Sequence, residues 1–181
     1  MYNAKIIINE QDVTSSIPSN MKYTFEREEN TVIFIWNEKI QSCSGMFEKI
    51  QMKTIDLSKF DSSYVIDTSR MFYQCQNLTY INLKDFDTSL VTNMEQMFLG
   101  CNLITSLDLS SFETSRVQNM RGLFAYNFNL ESINLSNFDT SLVTDISSMF
   151  MQCFKLSSIN LSSFKTNSLK KMNNYFCVVH L

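Results

Sequence analysis

A Met-Phe pair, or a close variant of it, returns along this chain at an almost constant interval of 26 residues. Its copies are Met46-Phe47, Met71-Phe72, Met97-Phe98, Leu123-Phe124, Met149-Phe150 and Tyr175-Phe176, and only the first interval is shorter, at 25. A fixed period of this size is typical of stacked repeat proteins, in which each unit contacts only its neighbours. The period therefore constrains the fold more than any other feature of the sequence.

Each repeat contains a triplet in which two apolar residues flank a polar one. The triplets are Ile55-Asp56-Leu57, Ile81-Asn82-Leu83, Leu107-Asp108-Leu109, Ile133-Asn134-Leu135 and Ile159-Asn160-Leu161. This alternation predicts a short strand with one buried and one wet face. Apolar residues such as Val91, Met94 and Met97 come next, and their spacing of three predicts a short helix or 3₁₀ turn. One unit cannot bury both faces, so the units are expected to stack.

These residues resemble the 26-residue unit of the BspA-like leucine-rich repeat surface proteins, which reads roughly Met-Phe, a Cys, Leu-x-x-Leu-Asp-Leu and Phe-Asp-Thr-Ser-x-Val-Thr-x-Met. The resemblance runs from about Met46 to Phe176. It implies protein-protein or host-surface attachment, with a cell-surface or secreted location, although the opening MYNAKIIINEQ lacks a signal-peptide core. The fold class expected is α/β. It is a right-handed leucine-rich-repeat solenoid with short parallel strands on one face, short helices or 3₁₀ turns on the other, and an N-terminal β cap.

Two domains are predicted. Residues 1–44 are expected to form an N-terminal β-hairpin and capping coil, because EREEN separates the strand-like segments MKYTF and TVIFIW. Residues 45–181 are expected to form a five-unit solenoid that ends in a partial unit. A terminal repeat needs a cover for its apolar end, so capping is the preferred role of residues 1–44 over that of an interaction arm.

Composition and motifs exclude several classes of function. The net charge of -3 provides no basic field for nucleic acid, and no apolar window reaches the length of a membrane span. The only histidine is His180, and neither a glycine-rich phosphate loop nor a Ser-His-Asp set occurs. The sequence therefore predicts a protein that is not an enzyme and binds no cofactor.

Two repeated polar positions each allow two interpretations. One carries Asp61, Asp87, Glu113 and Asp139. These acids either cap the following Thr-Ser turn or hold Ca²⁺ between neighbouring repeats, and capping without a metal is the prediction. The other carries Cys75, Cys101, Asn127 and Cys153. Parallel side-chain directions disfavour a disulfide between neighbours, so we predict a slot in which a small side chain meets backbone groups.

The candidate binding surface follows from the direction of side chains in a strand. If Ile81 and Leu83 face the core, Asn82 faces outward. The predicted partner-binding residues, called the strand face below, are Asp56, Tyr80, Asn82, Asp108, Asn134 and Asn160. Tyr80 is the expected aromatic anchor for an extended protein partner or host surface protein. Two alternatives stay open: these residues are only the wet side of the strands, or the chain is a structural segment that assembles with other copies or a longer array through its C-terminal edge.

Overall fold

The computed structural model describes residues 4–8, 11–12, 32–36, 39–173 and 176–177. The chain divides into two compact units, Met1–Ile40 and Gln41–Leu181. The first contains an antiparallel sheet in the order β2-β1-β3, formed by β1 (Ala4–Ile8), β2 (Gln11–Asp12) and β3 (Val32–Trp36). The expected hairpin partner of β3, the MKYTF segment at 21–25, lies outside the described residues. Within them, β3 pairs with β1.

The strands of the second unit are short and parallel. They are β4 (Thr54–Asp56), β5 (Tyr80–Asn82), β6 (Ser106–Leu107), β7 (Ser132–Ile133), β8 (Phe150–Met151) and β9 (Phe176–Cys177). β4 pairs with β5, β6 with β7 and β8 with β9, each in parallel. Ile55 lies opposite Ile81, one repeat away. Parallel strands at four of the five predicted triplets are thus confirmed, whereas residues 159–161 form no strand.

A continuous hydrogen-bonded ladder joins the repeats at another point in each unit. Parallel bridges link Ser42, Asp67, Asn93, Asn119, Asp145 and Lys171 in turn. We call the segments 42–49, 67–74, 93–100, 119–126 and 145–152 the turn ladder. Between two of these segments, the N–H groups of Thr68, Arg70, Phe72 and Gln74 donate to the carbonyls of Asn93, Glu95, Met97 and Leu99 over 2.6–3.0 Å. The N–H groups of Met71 and Tyr73 donate three residues back within their own turn.

The helix or 3₁₀ turn predicted for these segments is wrong, because the described residues contain turns and short strands there but no helix. Alternate N–H groups leave the repeat, so they cannot form bonds within a helix. Two positions in each turn-ladder segment also have left-handed backbone angles, with φ between 55° and 74°. They are Gly45, Lys49, Arg70, Gln74, Gln96, Gly100, Gly122, Tyr126, Ser148 and Gln152. A right-handed helix cannot include them.

The core consists of the same side chains stacked from repeat to repeat. Val91, Met94 and Met97 have no exposed surface. The rings of Phe47, Phe72, Phe98, Phe124 and Phe150 form one column with centroids 5.5–5.9 Å apart. A second column begins with Phe60, Phe86 and Phe112, at 5.8 and 6.3 Å. Stacked rings add attraction to the burial of apolar surface, so each repeat stabilises the next.

The residues of the Phe-Asp-Thr-Ser sequence have different structural roles. The Phe lies in the core, the Asp closes a turn, and the Thr bonds to the next repeat. Phe86 is fully buried, and Asp87 Oδ1 accepts the N–H of Ser89 at 2.8 Å. Thr88 Oγ1 donates to the carbonyl of Glu113 at 2.9 Å and accepts the N–H of the same residue at 2.8 Å. Thr114 and Thr140 repeat this two-way contact with the following repeat. The threonine hydroxyl therefore joins neighbouring repeats where backbone bonds alone do not.

The predicted capping role of the repeated acids is confirmed at the three aspartates. Asp61, Asp87 and Asp139 accept the N–H two residues later at 3.1, 2.8 and 2.9 Å. Glu113 has a side chain one methylene longer and makes no such bond in the described part of the chain. The bond therefore depends on the short reach of Asp rather than on negative charge, and the equivalent turn after Glu113 forms without it, with the N–H of Val117 donating to the Thr114 carbonyl at 2.9 Å.

The predicted slot for a small polar side chain is also confirmed. The thiols of Cys75, Cys101 and Cys153 donate to the carbonyls of Phe47, Phe72 and Phe124 at 3.0, 3.2 and 3.0 Å. Burial raises the pKa of Cys153 to about 11, so its thiol keeps the donated proton at neutral pH. Asn127 fills the slot in the remaining repeat and donates from Nδ2 to the carbonyls of Phe98 and Phe124. Its Oδ1 is buried without a hydrogen-bond partner among the described residues.

Replacing Asn127 by Cys, the residue that three other repeats carry there, should stabilise the protein. The thiol can donate to the Phe98 carbonyl as Cys101 does to Phe72, while the unsatisfied oxygen is removed, which is worth about 1 kcal/mol. Urea unfolding followed by circular dichroism measures the change. Asn127→Asp buries a charge in the same slot and should lower the midpoint. A midpoint for Asn127→Cys below that of the wild type would contradict this account.

Candidate functional site

The strand face lies where the sequence places it with respect to the core. Ile81 and Leu83 are buried, at 6% and 2% exposed, while Tyr80 is 59% exposed. Tyr80 is the first residue of β5 and lies opposite Thr54 of β4. Ser106 and Ser132 hold the same position in β6 and β7 and lie opposite each other. The alternation of buried and outward side chains is therefore confirmed.

The five polar residues of the strand face have a local structural role that sequence analysis did not assign. Each accepts, through Oδ1, the backbone N–H of the residue two positions later. The pairs are Asp56 with Ser58, Asn82 with Lys84, Asp108 with Ser110, Asn134 with Ser136 and Asn160 with Ser162, at 2.8–3.2 Å. Asp and Asn carry an oxygen at the most favourable reach for this turn, which Ser and Thr close more weakly. Turn formation thus explains why Asp or Asn recurs here.

The structure brings some of these residues together and separates others. Asn82 Nδ2 donates to Asp56 Oδ1 at 3.1 Å, across the β4–β5 pair. Asp108 and Asn134 directly follow the paired residues Leu107 and Ile133. Asn160 belongs to a triplet that forms no strand. Within the described residues, the strand face is therefore supported by two strand pairs rather than by one continuous ribbon.

The two carboxylates of the strand face are held in their charged form. Hydrogen bonds from the backbone and side chain of Ser58, with a further one from Asn82, lower the pKa of Asp56. The side chain and backbone of Ser110 lower the pKa of Asp108 in the same way. Bonds that favour the ionised form lower a carboxyl pKa. Both residues consequently carry a negative charge at neutral pH.

Three exposed aromatic residues form a second surface feature that sequence analysis missed. We call Tyr126, Phe128 and Phe154 the aromatic cluster; their exposed fractions are 37%, 38% and 54%. The rings of Phe128 and Phe154 stack with centroids 5.7 Å apart, and Tyr126 meets Phe128 edge-on at 6.3 Å. The signal available in the sequence was that Phe128 and Phe154 take a repeat position that Gln76 and Asn102 occupy in earlier units.

Metal-binding groups and membrane-spanning helices are both absent from the described residues. No group of three or more His, Cys, Asp or Glu side chains among them could hold a metal ion. His180 lies outside the described ranges. In the same part of the chain, no helix is both long enough and apolar enough to cross a bilayer.

One family model matches the chain. Its description is "Mycoplasma protein of unknown function, DUF285", and it matches residues 3–102 and again residues 67–180. The two matches overlap over residues 67–102, as expected when one model spans several copies of a repeat. No curated protein and no solved structure matches the chain.

The Asx turns of the strand face predict a specific pH dependence. Because the pKa of Asp108 is lowered by folding, its carboxylate stabilises the protein above the unfolded pKa of about 3.9, and this contribution disappears as the pH falls through the folded value. Asp108→Asn keeps the turn, as Asn134 does, but cannot titrate. The wild type should therefore be the more stable near neutral pH, and the difference should close in acid.

Urea midpoints measured across the acidic range test this prediction. Asn134→Asp is the matched control, because it should acquire the pH dependence that Asp108→Asn loses. Parallel stability curves for the wild type and Asp108→Asn at all pH values would contradict it.

Proposed function

This chain belongs to the family described as Mycoplasma protein of unknown function, DUF285, and we propose that it is a non-catalytic protein-binding or adhesion module. Its repeats, in this proposal, form a right-handed leucine-rich solenoid of the BspA-like type, displayed at a cell surface or secreted. It binds an extended protein or a host surface protein through the strand face.

The observation that carries this proposal is the exposure of Tyr80. It is 59% exposed at a position where the other triplets have a small hydroxyl residue, namely Thr54, Ser106, Ser132 and Ser158. The repeat thus folds without an aromatic residue at this position. Tyrosine is enriched among the few residues that dominate binding energy, because it combines a large apolar area with a hydroxyl group.

The surroundings of Tyr80 suit a partner that runs along the repeats. An outward hydroxyl group followed two residues later by Asp or Asn recurs at every unit, and the parallel register places Thr54 beside Tyr80 and Ser106 beside Ser132. Such a surface offers similar polar contacts in succession, whereas catalysis requires a single arrangement of unlike groups. The parallel pairing and stacked core support the solenoid, and rigid stacking reduces the entropy lost on binding.

Replacing Tyr80 by Ser should weaken partner binding without unfolding the protein, since Ser occurs at the same position in three repeats. A photo-crosslinking amino acid at position 80 identifies the partner, which is then produced in pure form. Loss of one aromatic anchor should raise the Kd about tenfold or more. Leu142→Arg is the control: Leu142 is 50% exposed, and Arg116 holds the equivalent position. An unchanged Kd for Tyr80→Ser would refute binding through this face.

A second candidate function is assembly through the last described repeat. Met172 is 56% exposed, although the equivalent Met94, Met120 and Ile146 are buried. Phe164 and Leu169 are half-buried where their equivalents Phe138 and Val143 are buried. These core positions would be covered by another repeat unit. The candidate ranks second because residues 146–173 carry four lysines and no acid, so two such surfaces would repel each other.

Assembly predicts a sedimentation coefficient that rises with protein concentration and falls back when Met172 is replaced by Lys. Sedimentation velocity on both proteins makes the comparison, and circular dichroism checks that the variant stays folded. A wild-type chain that sediments as a monomer at every concentration would eliminate this candidate.

A further inference from the structure

The aromatic cluster exposes large apolar groups that the repeat itself does not need. Gln76 and Asn102 occupy the position of Phe128 and Phe154 in earlier units, and those units form the same turns. Tyr126 has a left-handed φ of 59°, at a position where Gln74, Gly100 and Gln152 are also left-handed. A tyrosine in this conformation costs about 1 kcal/mol more than glycine. The repeat turns therefore form without these three aromatic side chains, and although the Phe128–Phe154 stack adds a contact between repeats, all three rings stay 37–54% exposed.

The cluster is organised before any partner arrives. Phe128 and Phe154 stack with an interplanar angle of 15°, and Tyr126 holds its edge against Phe128 at 79°. The N–H of Tyr126 donates to the Met151 carbonyl at 2.7 Å, which ties its backbone to the following repeat. Rings that are already fixed lose little freedom on binding. Pre-arranged, partly exposed aromatic groups are also typical anchor points for protein partners.

The charge near the cluster indicates what kind of segment would bind. Residues 146–173 contain Lys155, Lys165, Lys170 and Lys171 but no Asp or Glu. Lys165 and Lys171 lie 3.4 and 3.7 Å from Asp139 and Asp145 of the preceding repeat. Lys155 directly follows Phe154 and is exposed, with no ion pair in the described part of the chain. Two of the four lysines are thus paired with acids of the preceding repeat, and the positive charge beside the cluster is that of Lys155, which follows Phe154 in the chain.

We propose that the aromatic cluster is a docking site for a protein segment that carries an aromatic or aliphatic anchor followed by acidic residues. The anchor packs on Phe128 and Phe154, and the acidic residues face Lys155. A second copy of this chain fits less well, because pairing two clusters would bring two Lys155 side chains together. The proposal does not depend on the strand face, because it uses different residues.

The other repeats of the chain show which residues can replace the aromatic cluster in a test. Phe128→Asn with Phe154→Gln gives the cluster the residues of Asn102 and Gln76, and Lys155→Asn gives it the residue of Asn129 and Asn77. These substitutions already occur at the same positions of folded repeats, so the variants are expected to fold. Tyr80→Ser and Leu142→Arg leave the cluster unchanged and serve as controls.

A displayed library of random peptides is selected on the wild-type chain, with counter-selection on the Phe128→Asn/Phe154→Gln double variant. Enriched peptides should combine an aromatic or aliphatic residue with Asp or Glu. Their Kd, measured by fluorescence anisotropy, should rise about tenfold or more in the double variant, and severalfold in Lys155→Asn or at high salt. Tyr80→Ser and Leu142→Arg should bind as the wild type does, even if the strand-face proposal fails.

Several results would overturn the proposal. Peptides without acids, equal affinity for the double variant, or no enrichment at all would each do so. Loss of binding in Tyr80→Ser alone would move the site to the strand face. A wild-type dimer that becomes a monomer in the double variant would identify a second copy of the chain as the occupant instead.

Discussion

Every second N–H group in the turn ladder donates to the next repeat, and the rest of the second unit depends on this alternation. It fixes the left-handed residues at two positions in each turn-ladder segment, and all three glycines of the chain are among them. It also fixes the register. The first repeat interval is one residue shorter than the others. The N–H of Lys49 nevertheless donates to the Tyr73 carbonyl, and Asn77 Nδ2 donates to Oε1 of Gln51, which lies 26 residues earlier in the chain. The missing residue therefore falls between Lys49 and Gln51, where the ladder is not disturbed.

Side chains provide the contacts within and between repeats that the backbone hydrogen bonds of the turn ladder do not. Phenylalanine rings stack along the repeats, threonine hydroxyls join one repeat to the next, and aspartate and asparagine oxygens close the turns. A chain with three glycines and one proline can make so many turns because side-chain oxygens accept the N–H groups that would otherwise lack partners. The recurrence of a polar residue thus reflects the needs of the turn first, and says little by itself about binding.

Departures from the repeat are consequently more informative about function than the repeat. Tyr80 replaces a small hydroxyl residue, and Phe128 and Phe154 replace polar residues, while neighbouring units fold without these aromatics. All three are exposed, so the core does not require them. Asp56, Asn82, Asp108, Asn134 and Asn160 follow the repeat and already serve as turn acceptors. Their outward groups can add contacts to an interface, but Tyr80 is the more specific candidate on the strand face.

The sequence by itself determined the repeat, the parallel pairing of triplets such as 54–56 and 80–82, the buried apolar positions and the capping aspartates. Each of these follows from the spacing of residues along the chain and from the length of their side chains. Both can be read directly from the sequence. Tertiary structure decided that Val91 to Phe98 lie in linked turns instead of a helix, because a spacing of three fits both, and only the N–H bonds to the next repeat separate them. It also decided that Phe128 meets Phe154 at the surface, since stacking between repeats depends on which side of the turn each ring leaves the backbone.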